Sequence, residues 1–179
     1  KTGNHASIYR RRDGEGGTIL CFRGTNKTRQ WVMNLVIRPH GWQRFRRDGD
    51  PEGAFLHSGF YLFFKRIWPL LLPKLEELPR PWVFAGHSLG GALATIAGAV
   101  SQPDYVYTLG APKVGNELFY NLLCDIDSER WVNGPDLVPR LPLPDRKLQE
   151  RVLTHGSEAL LLTDEGKLSS HENRAEEDI

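Results

Sequence analysis

The sequence predicts an α/β fold with a mostly parallel central sheet and helices on both faces. Short apolar runs typical of strands alternate with helix-like stretches along most of the chain, as in βαβ units. Turns containing glycine directly follow four of the strand-like runs, at Gly24, Gly86, Gly110 and Gly134. Because the chemistry of such sheets gathers at the carboxyl ends of the strands, these turns mark the edge where a functional site is expected.

The composition favours one globular domain covering residues 1–179. Hydrophobic residues make up 40% and charged residues 25% of the chain, which is ordinary for a protein with a packed core. The formal net charge of +1 gives no electrostatic argument for a nucleic-acid partner. No apolar run approaches the roughly 18 residues that a transmembrane helix needs. We therefore expect a soluble protein without a transmembrane segment.

The cysteines and the first residue bear on the compartment. Cys21 and Cys124 both lie in apolar runs, which favours two buried thiols over a disulfide. No signal peptide is visible, and Lys1 is not an initiator methionine, so we expect a processed product or an excised domain. The compartment stays undetermined on these grounds, with the cytoplasm somewhat favoured over secretion.

Before the run at residues 82–94, the patterns predict two strands and two helices. A helix with Trp31 and Leu35 on one side is followed by a polar stretch at residues 38–52, which we expect to lie outside the core although it contains Trp42. A longer helix comes next and should bend or divide at its two prolines. The predicted strands are residues 5–12 and 18–22, and the predicted helices are residues 27–36 and 57–78.

After Gly86, the patterns predict two helices, two strands and a late strand pair. Asn116 is the expected N-cap of the second helix. The polar tail from Ser169 has a weak helix-start signal. The predicted strands are residues 105–109 and 130–133, the late pair is 151–155 with 159–163, and the helices are 91–100 and 116–124.

The strongest functional signal lies in residues 82–94, which read WVFAGHSLGGALA. A short apolar strand leads into GHSLG, which fits the pattern G-x-S-x-G, and small residues suited to a packed helix follow. A serine on so tight a turn has a strained backbone, and Gly86 and Gly90 remove side chains that would collide there. The pattern therefore favours Ser88 as a catalytic nucleophile over an ordinary glycine-rich turn.

A serine nucleophile needs a base, and the base needs an acid that orients it. On a strand–turn–helix scaffold the acid and then the histidine follow the serine along the chain. Asp136 directly follows a strand-like run, whereas Asp145 lies deeper in a proline-rich loop. Only His155 and His171 follow Asp136, and their spacing does not choose between them. His87, beside the nucleophile, is expected to pack under the turn.

An oxyanion hole completes such a site, and its donors must already point to where negative charge develops. One donor is expected to be the backbone N–H of Leu89, the residue after the nucleophile. The other is expected from the loop after an earlier strand, where Thr25 offers both its N–H and its hydroxyl. Thr25 also suits the N-cap of the helix at residues 27–36, and the two roles are compatible.

Several segments resemble the fungal-type, or class 3, lipases of the α/β-hydrolase fold, and the resemblance covers most of the chain. The most specific match is TLGAPKVGN at residues 108–116, which is similar to the strand and loop after the family's nucleophile helix. The other matching segments are FRGT at 22–25 for the oxyanion loop, HSGF at 57–60 for a helix start, GHSLGGA at 86–92 for the nucleophile, NGPDLVPRLP at 133–142 for the catalytic aspartate, HGSE at 155–158 for a non-catalytic histidine, and SHEN at 170–173 for the catalytic histidine.

This resemblance implies a carboxylic ester hydrolase, either a triacylglycerol lipase or a lipid esterase, without a metal or organic cofactor. A phospholipase and a feruloyl or aryl esterase are the alternatives within this class, and a catalytically inactive lipase-like binding protein is the alternative outside it. Longer members have an N-terminal helical region, which we do not expect within these 179 residues. The implied residues are Ser88, Asp136 and His171 for the triad, Thr25 and Leu89 for the oxyanion hole, and Trp31 and Leu35 for the lid and substrate contacts.

The charge pattern of residues 27–47 suggests contact with a lipid interface. This window contains basic residues and no acidic ones. Tryptophan and aliphatic residues are interspersed among the basic residues. Such a composition is typical of a surface that settles on an anionic lipid interface, and one interpretation is a mobile lid. Alternatively, the apolar side chains pack onto the body and the cations are merely solvated. The basic residues are Lys27, Arg29, Arg38, Arg44, Arg46 and Arg47.

Overall fold

The computed structural model describes residues 6–10, 13, 16–24, 39–42, 45, 47–142, 153–162 and 168–171. Its strands are β1 (Ala6–Arg10), β2 (Thr18–Phe22), β3 (Pro39–Gly41), β4 (Phe55–His57), β5 (Trp82–His87), β6 (Tyr105–Leu109), β7 (Asp127–Asn133), β8 (Ala159–Leu162) and β9 (Leu168–His171). Its helices are α1 (Ser58–Glu76), α2 (Leu89–Ser101) and α3 (Glu117–Tyr120), with 3₁₀ turns at Asn121–Leu123 and Val138–Arg140.

The predicted mostly parallel sheet is confirmed. Seven strands lie in the order β1-β2-β5-β6-β7-β8-β9, and β2, β5, β6, β7 and β8 run parallel to one another. Strands β1 and β9 pair antiparallel at the two edges. The shared direction of the five inner strands puts their carboxyl ends at one edge of the sheet, where Gly24, Ser88, Gly110 and Gly134 follow them.

The described helices pack on one face of this sheet. Gly98 of α2 lies so close to β6 that an added Cβ would be 3.0 Å from Val106 Cγ2. In α1, the Trp68 ring lies 6.2 Å from the ring of Phe84 on the same face. On the other face, Leu109 is 48% exposed, and no helix among the described residues covers it. These helices therefore supply one of the two predicted layers.

Helix α1 continues through both of its prolines, where a bend or break was predicted. Pro69 and Pro73 are four residues apart and both exposed, so they lie on the outer side of the helix. The carbonyl groups that lose an N–H partner belong to Lys65 and Pro69, which are also exposed. Water can satisfy those carbonyls, so the prolines do not divide the helix.

Two predictions about burial are wrong. Trp42 was expected outside the core, but it is 4% exposed and contacts the Phe119 ring edge-on at 5.3 Å. Its stretch is polar by composition, yet the indole supplies more apolar area than its neighbours and its Nε1–H bonds to Asp50. Cys21 and Cys124 are free thiols as predicted, but Cys124 is exposed and Cys21 only half-buried.

The late part of the sheet also differs from the sequence-based prediction. Strand β8 matches the run predicted at residues 159–163, but it pairs with β7 and β9 rather than with residues 151–155. Thr154 makes only an isolated bridge to Gly115. Residues 168–171 form a strand, and the weak helix signal of the tail concerns residues after His171, which lie outside the described residues. Pairing with strands that are distant in the sequence decides which neighbours these residues have. Two adjacent apolar runs do not reveal that choice.

Candidate active site

Ser88 stands on a strained turn between β5 and α2. Its backbone has φ +57° and ψ −122°, a region that residues with a side chain rarely adopt. The Ser88 N–H donates to Leu109 O at 2.9 Å, and the Ser88 carbonyl accepts from Ala92 N at 3.1 Å. These two bonds tie the strained residue to β6 on one side and to α2 on the other.

Close backbone packing explains the glycines of this turn. An added Cβ on Gly86 would lie 2.2 Å from the carbonyl oxygen of Gly90. One on Gly90 would lie 2.1 Å from the carbonyl oxygen of Phe22, the last residue of β2. Any side chain at either position would push the turn away from the sheet. The sequence-based reason for these glycines is therefore confirmed, with β2 as an additional neighbour.

The hydroxyl of Ser88 is buried and takes no part in the hydrogen bonds that hold the turn. Ser88 is 2% exposed, and its Oγ has no hydrogen-bond partner in the described part of the chain. It lies at the N-terminus of α2, where the helix dipole favours negative charge. Leu89 is the first residue of α2, so its N–H has no acceptor within the helix. Leu89 is thus in the right place for an oxyanion donor.

The other oxyanion and lid residues lie outside the described residues, namely Thr25, Trp31 and Leu35. The start of their loop is described. An added Cβ on Gly24 would lie 2.7 Å from His87 O, so the chain leaves β2 directly beside the nucleophile turn. This contact fixes where the loop begins.

Asp136 lies at the same edge of the sheet, two strands away from Ser88 along the order β5-β6-β7. Its N–H donates to Asn133 O at 2.8 Å, and its Oδ1 accepts from Val138 N at 3.0 Å. Its Oδ2 is 2.6 Å from the position that a Cβ on Gly110 would occupy. One carboxylate oxygen is therefore fixed by the backbone, and the other faces the loop after β6.

The structure does not bring His171 to this edge. His171 is in β9, paired with Ala159 of β8, and three strands lie between β9 and β5. Four interstrand steps of about 4.8 Å put its backbone about 19 Å from β5 along the sheet. In register it is level with Gly86 rather than with Ser88. Its assignment as the base stays a prediction.

His155 is engaged elsewhere. Its Nε2 lies 2.7 Å from Pro139 O, and because a carbonyl only accepts, the ring donates this bond. Burial, followed by the charge of Arg130, lowers the pKa of His155 to about 4. The ring is therefore neutral near pH 7 and carries its proton on Nε2.

His87 differs from its expected role as a packing residue under the turn. It is exposed, because it alternates with buried Gly86 along β5 and faces the sheet surface that the described helices leave open. Its Nε2 lies 3.7 Å from the position of a Cβ on Gly110. The imidazole thus stands beside the loop after β6 and makes no hydrogen bond to Ser88 Oγ.

A cavity lined by described residues lies apart from the candidate active site. It has a volume of about 860 Å³ and lies beside β6, β7 and α3. Val106, Tyr120, Ile126, Arg130 and His155 help to line it, and neither Ser88 nor Asp136 does. No group of three His, Cys, Asp or Glu side chains in the described ranges could hold a metal ion, and no described helix is long and apolar enough to cross a bilayer.

Sequence reasoning missed two contacts in the neighbourhood of Asp136. Gly110 was noted as a turn glycine, but its contact with the carboxylate needs two loops to meet in space. The bond from His155 to Pro139 joins segments 16 residues apart and leaves no pattern in the sequence. Only the resemblance signalled that His155 has a role other than catalysis.

The chain matches known proteins over most of its length. The family described as Lipase (class 3) matches residues 19–146, which include Thr25, Ser88, Leu89 and Asp136 but not His155 or His171. The lipase of Rhizomucor miehei is 30% identical over 152 residues, covering 76% of this chain and 40% of that protein. The secreted mono- and diacylglycerol lipase 1 of Fusarium solani is 43% identical over 136 residues, covering 69% of this chain and 39% of that protein.

Solved structures agree with these matches. The Rhizomucor miehei lipase in its propeptide complex superposes with a TM-score of 0.73 at 26% identity, covering 92% of this chain and 54% of that one. A triacylglycerol lipase whose catalytic centre is a serine protease triad gives 0.72 at 27% identity, covering 90% and 62%. The chain spans about two fifths of the length of the relatives that it matches in sequence. It belongs to the class 3 lipase family and has the α/β-hydrolase fold.

Proposed function

We propose that this chain is a carboxylic ester hydrolase that acts on acylglycerols or related lipid esters through a serine acyl-enzyme. The observation that carries the proposal is the strained Ser88, whose buried hydroxyl has no structural partner and stands at the N-terminus of α2. Strain of this kind is retained where it serves a mechanism. Membership of a lipase family supports the same reaction class.

In the proposed mechanism, Ser88 Oγ attacks the ester carbonyl and gives its proton to the base. The negative charge on the carbonyl oxygen is stabilised by the N–H of Leu89 and by the N–H or hydroxyl of Thr25. The base returns the proton to the leaving alcohol, and a water molecule activated by the same base releases the acid. Asp136 orients the imidazole and stabilises its cation. These protein groups complete the reaction without a cofactor.

We propose His171 as that base. The support is the resemblance of its segment to the catalytic-histidine segment of the family and the occupation of the other late histidine. His155 Nε2 carries a proton that it donates to Pro139 O, so this nitrogen cannot accept the proton of Ser88. His171 would need residues 168–171 to leave the β9 position in the catalytic conformation, since unliganded geometry often differs from the reactive one.

Lipid contact through residues 27–47 is a finer proposal, with Trp31 and Leu35 in the lid. The described residues of this window restrict which side chains can contact lipid. Trp42 is buried, Phe45 packs against the core, and Arg47 bonds to Ala99 O and pairs with Asp50. Trp42 and Phe45 are therefore engaged with the core, and the proposal assigns the lipid-facing apolar groups to Trp31 and Leu35.

For the compartment, we propose secretion in place of the cytoplasm that the composition somewhat favoured. The support is that the Fusarium solani relative is a secreted lipase. The exposed thiol of Cys124 is compatible with either compartment.

The test is hydrolysis of a p-nitrophenyl ester series from acetate to palmitate, with Ser88→Ala as the matched variant. We expect the wild type to hydrolyse at least one ester and Ser88→Ala to lose at least about 1,000-fold in kcat while keeping its melting temperature. A fluorophosphonate probe should label the wild type only. A folded wild type that is neither active nor labelled would instead support a lipase-like binding protein, and the chain-length optimum separates lipase from short-chain esterase.

A further inference from the structure

The loop at residues 154–157, which precedes β8, is held to the body by three hydrogen bonds. Thr154 N–H donates to Gly115 O at 2.9 Å. Arg130 Nε donates to Ser157 O at 3.0 Å. His155 Nε2 donates to Pro139 O at 2.7 Å and makes the shortest of the three. The first two bonds end on a different loop and on β7, whereas the third reaches the segment that carries Asp136.

That segment is a compact turn built around the Asp136 carboxylate. Pro139 is buried in the 3₁₀ turn Val138–Arg140. The turn closes through Leu141 N–H to Val138 O at 3.0 Å. Val138 N–H, one residue before Pro139, donates to Asp136 Oδ1. A shift of the Pro139 peptide therefore moves the N–H that fixes one carboxylate oxygen.

The donor state of His155 is constant over the range in which a serine hydrolase works. Burial, with the charges of Arg130 and Lys113, opposes a proton on Nδ1 and keeps the pKa of the ring at about 4. Above pH 5 the imidazole is thus neutral, and its proton stays on Nε2 because Pro139 O can only accept. A histidine held in this way acts as a fixed structural donor, not as a titrating group.

We propose that His155 is a positioning residue for Asp136, acting through Pro139 and the turn Val138–Arg140. The proposal rests on the proposed ester hydrolysis, in which Asp136 orients the catalytic base. It assigns His155 a place in the reaction without contact with substrate. The coupling runs from His155 to the carbonyl of Pro139, then through the turn to the N–H of Val138, which donates to the carboxylate of Asp136.

Four variants of the full-length protein test this. His155→Gln places an amide N–H near the position of Nε2, His155→Asn places it near Nδ1 and out of reach of Pro139, and His155→Leu removes it. Arg130→Gln is the matched control, because it removes the other side-chain clamp of the same loop without touching the turn. The measurements are kcat, KM, the pH profile of kcat/KM and the melting temperature.

We expect His155→Leu and His155→Asn to lose roughly 10- to 100-fold in kcat with little change in KM, which is the usual cost of a misplaced catalytic group. The acidic limb of kcat/KM should move to lower pH, because a base less well paired with Asp136 loses its proton more readily. His155→Gln should recover most of the kcat. Arg130→Gln should lower the melting temperature and leave the acidic limb in place.

The proposal is overturned if folded His155→Leu or His155→Asn keeps the wild-type kcat and acidic limb, or if Arg130→Gln moves that limb equally. If His155→Leu does not fold, His155→Asn and His155→Gln decide the matter through their difference in kcat. A failure of the proposed function looks different: Ser88→Ala would then be as active as the wild type, whatever His155 does.

Discussion

The nucleophile side and the histidine side of the candidate site are built in different ways. Ser88 is fixed by contacts of a continuous stretch, β5 to α2, with its immediate neighbours β2 and β6. On the chain order expected for such a site the base follows Asp136, and the two histidines there are His155, engaged with Pro139, and His171, in an edge strand. Asp136 is intermediate in how locally it is fixed. One carboxylate oxygen is bound by its own turn, and the other faces the loop after β6.

This difference shows which catalytic groups a local pattern can specify. The strain at Ser88 arises within five residues, so any chain that forms this turn also forms the nucleophile. The position of the base depends on the path of a long connection and on how an edge strand pairs. Among the described residues β9 pairs with β8 alone, so fewer strand pairings fix the backbone of His171 than fix the turn at Ser88.

The two late histidines should differ most in what they contribute to catalysis. We expect His171→Ala to lose roughly 10⁴- to 10⁶-fold in kcat, as removal of a triad base does, and His155→Ala to lose far less. Ester hydrolysis and fluorophosphonate labelling of Ser88 measure both. A His171→Ala protein within tenfold of the wild type would place the base elsewhere and would remove the only proposed function of β9.

Gly110 tests the Asp136 side with a smaller expected effect. It has φ +53°, and a Cβ there would lie 2.6 Å from Asp136 Oδ2, so Gly110→Ala should displace the carboxylate and lower kcat by about 10- to 100-fold. Gly49→Ala is the control, because Gly49 has φ +93° with nothing within 4 Å of its added Cβ.

Both glycine variants should lose about 1–2 kcal/mol of unfolding free energy from the left-handed backbone, measured by urea denaturation. Only Gly110→Ala should also have a lower kcat. Equal kcat in the two variants would show that Asp136 tolerates displacement and that Gly110 serves the backbone alone.

The smallest expected effect concerns His57, which supports the scaffold and not the chemistry. His57 is fully buried, its Nδ1 accepts from Gly59 N at 3.0 Å as the N-cap of α1, and burial lowers its pKa to about 4. The unfolded chain, with a histidine pKa near 6.5, therefore binds more protons between pH 6.5 and pH 4. The stabilisation is complete above pH 6.5 and is lost as the pH falls towards 4.

His57→Asn should keep the N-cap, since the amide oxygen lies near the position of Nδ1, and should remove this titration. Between pH 7 and pH 5 we expect the wild type to lose roughly 1–2 kcal/mol more unfolding free energy than the variant. Part of the slope should survive, because His155 titrates in the same range. Identical slopes in urea denaturation would show that His57 has an ordinary pKa.

Much of the fold followed from local pattern. Strands at residues 18–22 and 105–109 and the helix starting beside Asn116 were predicted with their observed boundaries or nearly so, because alternation and capping act over a few residues. Asn116 caps α3 as expected, accepting from Phe119 N at 3.1 Å. Predictions failed where distant segments compete for one neighbour, as with β8, which pairs with β7 across the connection that carries Asp136.

Burial was harder to predict than secondary structure. Trp42 lies in a polar stretch and yet joins the core, because what decides its burial is the space beside Phe119, and no sequence window contains both residues. Helix α1 passes through two prolines since both lie on its exposed side, and the side of a helix that faces the core is a property of its packing.

By itself, the sequence determined the nucleophile turn, the mostly parallel sheet and the edge at which functional groups gather. Each of these depends on short-range sterics or on periodicity, which a stretch of five to ten residues contains in full. Only the tertiary structure decided that Asp136 faces Gly110, that His155 is bound to Pro139 and that His171 lies in an edge strand away from Ser88. Those contacts join residues far apart in the chain, and their free energy exists only once the segments have met.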